Sequence, residues 1–159
     1  MSTTLSKENT TLGVIGLGLM GSRFLRQLNA EGWNVRGWNR NKQVTNTLRE
    51  YGFQVETTLA DLVDGSEVLI SSLADDTAVK AVYLDEDGVF AHVRPETIIL
   101  EMSTISPGLS AILHQEAAKR GAYLIDLAVS GSTPAVEEGT VTLFAGGDKS
   151  TFARCVPNF

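Results

Sequence analysis

Residues 11–29 read TLGVIGLGLMGSRFLRQLN, and this stretch decides the fold. Leu12, Val14 and Ile15 form a short apolar run around Gly13, the pattern of a buried strand. Gly16, Gly18 and Gly21 follow with the spacing G-x-G-x-x-G, with Leu17, Leu19 and Met20 between them. Met20, Phe24, Leu25 and Leu28 then recur at helical intervals, while Arg23, Arg26 and Gln27 fall elsewhere on the turn. Strand, glycine turn and helix in direct succession form a dinucleotide-binding corner. Gly16 lets the chain turn off the strand, Gly18 lets backbone approach a diphosphate, and Gly21 lets helix and strand pack closely. The phosphates would rest on unpaired N–H groups at the positive end of the helix dipole.

The remaining residues alternate strand and helix patterns. Strands are expected at 33–38, 53–55, 67–73, 97–102, 123–128 and 140–145, and helices at 41–51, 58–63, 77–84 and 107–120. A final helix is expected from about Ser150 to Pro157. Residues 85–93 read as a loop or broken turn, Asp76 as a helix N-cap, and Ser106 with Pro107 as a helix start. Such alternation predicts an α/β fold: a Rossmann-like, doubly wound, mostly parallel sheet with helices on both faces. The link between the last two strands is too short for a parallel crossover, so the last strand should run antiparallel. Ligands of such sheets collect beyond the carboxyl ends of the parallel strands.

The chain has 159 residues, enough for one domain with one ordinary core, spanning 11–159. Residues 1–10 are polar and lack the basic and apolar regions of a signal peptide, so they read as a loose leader. A net charge of −6 without a basic run argues against nucleic acid as a partner. No apolar run approaches membrane-spanning length, and a cytoplasmic location is the default expectation. The one cysteine, Cys155, excludes an internal disulfide and reads as a packing residue; no metal-ligand spacing is present.

The residues closing the second strand bear on the choice of dinucleotide. An acid there would bind the ribose 2′-hydroxyl and repel a 2′-phosphate. This chain has Asn39 and Arg40, a neutral side chain and a planar cation suited to phosphate, so NADP is expected over NAD.

Four motifs together resemble a known family: GLGLMG at 16–21, WNRN at 38–41, EMSTISP at 101–107 and VSGSTPAVEEGTVTLFAGG at 129–147. They are similar to the β-hydroxyacid dehydrogenases, which include 3-hydroxyisobutyrate dehydrogenase, tartronate semialdehyde reductase and the glyoxylate/succinic semialdehyde reductases. The resemblance covers nearly all of the chain after Thr11 and matches the family's N-terminal NAD(P)-binding domain. It implies that Leu73, Ala74 and Thr104 line the nicotinamide side of the cofactor. It also implies that Ser130, Gly131 and Ser132 hold the carboxylate or carbonyl oxygen of a small carboxylic acid or semialdehyde. By the same resemblance the parent protein would be a homodimer or homotetramer. Its proton-transferring lysine would lie on a later helix, in an all-helical C-terminal domain absent here.

Among this chain's own residues no general acid presents itself. Lys42, Lys80 and Lys119 fall on helices at solvated-face spacing, Lys149 lies in a turn, and His92 and His114 read as structural or surface groups. The chain is therefore expected to supply cofactor binding and part of a substrate pocket for hydride transfer, with no catalytic residue of its own. The alternative is an NADP-binding sensor or scaffold module without turnover.

Overall fold

The computed structural model describes residues 4–155. Strands β1 (Thr11–Ile15), β2 (Asn34–Trp38), β3 (Val68–Ser71), β4 (Ile98–Glu101), β5 (Tyr123–Ser130) and β6 (Thr142–Gly147) form one sheet in the order β2-β1-β3-β4-β5-β6. Neighbours among the first five are parallel, and β6 runs antiparallel to β5, as the short final link requires. The strand order reverses between β1 and β3, which opens a crevice at their carboxyl ends.

The alternation of side chains along each strand sends one set to each face. Leu12, Val14, Ile70, Leu100 and Ile125 pack with Leu25 of α1 (Leu19–Ala30), Leu48 of α2 (Lys42–Glu50) and Cys155 of α8 (Lys149–Cys155). Ile15, Leu69, Ile99 and Leu124 pack on the other face. Their partners come from α3 (Leu59–Asp64), α4 (Asp76–Leu84), α5 (Val89–His92) and α6 (Pro107–Lys119). Each fully buried Leu or Ile in these layers contributes about 1.5–3 kcal/mol. Burial also raises the pKa of the Cys155 thiol, and Cys155 is a packing residue as expected.

Several expectations need correction. Residues 53–55 do not form a strand: Gly37 and Val55 make a single parallel bridge, and the chain leaves the edge of β2 at Glu56. The loop at 85–93 contains α5, which buries Val89 and Phe90. A short helix, α7 (Thr133–Glu137), lies between β5 and β6, with Pro134 in its first turn and Val136 buried. Asp75, not Asp76, caps α4 by accepting the Ala78 N–H at 2.8 Å. Residues 4–10 are docked rather than loose, because Leu5 enters the core and Thr10 is buried. Helix α8 is described only as far as Cys155, so the expected stop at Pro157 lies outside the described residues. Among the described residues no helix is long and apolar enough to cross a membrane, and no cluster of His, Cys, Asp or Glu could hold a metal.

Candidate dinucleotide site

The glycine turn leaves β1 at the reversal point. Gly16 has φ +88°, and a Cβ on it would lie 2.3 Å from Ser72 O. A Cβ on Gly21 would lie 1.7 Å from Gly16 O, so this helix can meet this turn only through a glycine. Gly18 differs: a Cβ there would meet nothing within 4 Å. Protein packing thus explains two of the glycines, while the third faces open space at the head of α1. Gly18 is the N-cap of α1, which has neither a side-chain cap nor an acid in its first turn. The first N–H groups of the helix therefore remain available to an anion.

The side chains around the turn divide by direction. Leu17 is buried and packs against Gly37, leaving the corner clear, while Leu19 is 68% exposed. Met20 is half-buried. Asn39, at the end of β2, accepts the Leu17 N–H at 3.0 Å through Oδ1. Arg40 is exposed and makes no ion pair among the described residues.

On the other side of the crevice two loops are tied together. Leu73 N–H donates to Ser103 Oγ at 2.8 Å. Asp76 accepts from Ser106 N–H at 2.9 Å and from Ser106 Oγ–H at 2.5 Å, and these bonds hold its carboxyl below the usual range. Ala74 and Thr104, one on each loop, are exposed. A hollow of about 350 Å³ lies between the second of these loops, the start of α6 and β5, lined by Thr104, Ser110, Asp126 and Val129 among others. Asp126 accepts from Ser110 Oγ and is 2.8 Å from His114 Nε2, so His114 is engaged in a structural contact.

Ser130 ends β5 opposite Thr142 rather than forming a turn of its own. Gly131 has φ +153°, and Ser132 is the N-cap of α7 without a side-chain capping bond. All three are exposed. Helix α7 packs along α1, and Arg23 Nε lies 2.6 Å from Glu137 Oε1, which draws the segment after β5 toward the glycine turn. The motif EMSTISP did not single out Glu101, yet this carboxyl is buried at the end of β4. Its signal was an acid closing the otherwise apolar run TIIL.

The family described as the NAD binding domain of 6-phosphogluconate dehydrogenase matches residues 11–159. The chain belongs to this family. The NAD-dependent L-serine dehydrogenase of Pseudomonas aeruginosa is 34% identical over 148 residues, which is 93% of this chain and 50% of that protein. Among solved structures, Mycobacterium tuberculosis 3-hydroxyisobutyrate dehydrogenase with L-serine superposes with a TM-score of 0.85 at 30% identity, covering 93% of this chain and 50% of that one. Psf3 in complex with NADP⁺ and 2-OPP gives a TM-score of 0.86 at 28% identity, with 92% and 52% covered. This NAD-binding domain therefore spans about half the length of the relatives it matches. The resemblance read from the four motifs holds: the relatives include 3-hydroxyisobutyrate dehydrogenases, and the match is to their dinucleotide-binding half. They do not agree on one cofactor, since one is named for NAD and another is bound to NADP⁺.

Proposed function

We propose that the chain is the NADP-binding domain of an oxidoreductase that moves hydride between NADP(H) and a small β-hydroxyacid or semialdehyde. The observation that carries this reading is Gly18, open to solvent where its two partner glycines are closed by protein. A side chain is missing there for a reason the protein's own packing does not supply. The uncapped N–H groups of α1 fit a diphosphate at the same corner. Arg40, free of any ion pair among the described residues, fits a 2′-phosphate, and Asn39 beside it brings no charge to repel one. The bound dinucleotide would supply the hydride. Leu73, Ala74 and Thr104 would orient its nicotinamide end, and Ser130, Gly131 and Ser132 would offer hydroxyl and N–H donors to a substrate carboxylate. The protein's partners would be small molecules.

Titration calorimetry with NADPH and NADH tests this. NADPH should bind more tightly, and Arg40→Asp should reverse the order, because a carboxylate there repels a 2′-phosphate and can accept from ribose hydroxyls. Unchanged selectivity in that variant would remove Arg40 from the phosphate site.

A further inference from the structure

A buried carboxyl lies beneath the loops assigned above to the nicotinamide end. Glu101, the last residue of β4, is only 2% exposed. Its Oε1 accepts the Ser103 N–H at 2.8 Å, and Ser103 Oγ in turn accepts the Leu73 N–H at 2.8 Å. Its Oε2 is buried without a well-formed hydrogen bond. The same holds for Ser71 Oγ, on the residue paired with Glu101 across β3 and β4, and for Tyr83 OH, which reaches in from α4. The three lie close together: Glu101 adds to the burial that raises the Tyr83 phenol, and the Ser71 and Tyr83 hydroxyls both act on the Glu101 carboxyl.

Burying a carboxyl is costly, and the three residues before it in β4 fill the layer with Ile98, Ile99 and Leu100. An apolar side chain would pack here, but it could not accept the Ser103 N–H. Through that bond one side chain reaches both loops: Thr104 follows Ser103 directly, and Leu73 hangs from the Ser103 hydroxyl. Asp76 and Ser106 tie the same loops again at their solvent ends.

We propose that Glu101 is a positioning residue for the nicotinamide end of a bound dinucleotide, acting through Ser103 to fix the loops that carry Leu73 and Thr104. The proposal rests on the dinucleotide reading above. Burial raises the pKa of Glu101 against the opposing pull of the Ser103 hydrogen bonds, which favours the neutral acid. In that form Oε1 remains an acceptor for Ser103, and the acid proton is free for the Ser71 or Tyr83 oxygen. Glutamine has the same donor and acceptor layout.

The test compares a whole dinucleotide with its truncated form lacking nicotinamide. These are NADP⁺ and 2′-phospho-ADP-ribose, or NAD⁺ and ADP-ribose if the domain prefers NAD. Affinities are measured by calorimetry for wild type, Glu101→Gln, Glu101→Ala and Ser103→Ala. Glu101→Ala and Ser103→Ala should lose about tenfold in affinity for the dinucleotide and little for the truncated ligand. Glu101→Gln should keep both affinities. Ser103→Ala leaves the carboxyl in place and carries the test if Glu101→Ala does not fold. Equal losses for the two ligands would make Glu101 a purely structural group and overturn the proposal, as would no loss for either. Wild-type protein that binds the truncated ligand as tightly as the dinucleotide would also overturn it while leaving the phosphate corner intact. Wild-type protein that binds neither would defeat the dinucleotide reading and this proposal with it.

Discussion

The side-chain oxygen of Asn39 accepts the Leu17 N–H at 3.0 Å, joining the end of β2 to the glycine turn after β1. Asn39 thus has a structural duty beside any contact with a ribose, and the two can be separated. Asn39→Asp keeps an acceptor for Leu17 while adding a negative charge beside Arg40. Its stability should stay within about 0.5 kcal/mol of wild type, while affinity for NADPH falls relative to NADH. Asn39→Leu removes the acceptor and leaves the Leu17 N–H unpaired, which should cost about 1–2 kcal/mol and weaken both dinucleotides together. Urea unfolding and calorimetry on the two variants check this. Equal behaviour of Asp and Leu would contradict it.

The three glycines should respond differently to one added methyl group. Gly18→Ala places its Cβ in open space at a backbone conformation that any residue adopts, φ −73° and ψ −155°. Folding should change by no more than about 1 kcal/mol, the loss expected because alanine is a poorer N-cap than glycine. Dinucleotide affinity should drop by at least about tenfold, because the methyl group stands where the diphosphate would come closest. Gly21→Ala drives its Cβ into Gly16 O and should destabilise by more than about 2 kcal/mol. Thermal unfolding separates the two. A Gly18→Ala protein that binds NADPH like wild type would remove the main support for the site.

Residues 11–30 were legible because their signal is local: an apolar run, three glycines and a helical period in one uninterrupted stretch. The antiparallel β6 was legible from link length alone. The short helices α5 and α7 were not, since four or five residues show no period, and only Phe90 and Val136 entering the core reveal them. Residues 53–55 carry strand-like side chains, yet form only one bridge, because the chain turns away toward the Thr58 cap of α3. The glycine turn could be read from residue type and spacing. The bonds that hold the site together could not: Asn39 to Leu17, Asp76 to Ser106 and Leu73 to Ser103 join residues that strand register alone brings together. The neighbours of Glu101 belong to the same class, since the pairing of Ser71 with Glu101 exists only once β3 lies beside β4.

Glu101 and Asp76 should give the stability curve opposite slopes with pH. Burial raises Glu101 above its ordinary 4.5, so the folded chain holds this proton more tightly than the unfolded chain. The contribution is complete below pH 4.5 and is lost as pH rises from there through the folded value. Tyr83, the titratable neighbour from α4, is raised by the same burial above 10.0 and acts only on the alkaline side. Asp126, paired with Glu101 from β5, is engaged by Ser110 and His114. Asp76 is lowered by Ser106, so its contribution stands above pH 3.8 and is lost as pH falls through its folded value. Glu101→Gln should therefore flatten the decline of the urea midpoint that wild type shows from pH 4.5 upward. Asp76→Asn should flatten only the acid limb. If wild type and Glu101→Gln traced the same curve above pH 4.5, Glu101 could not be holding a proton in the fold that the unfolded chain releases.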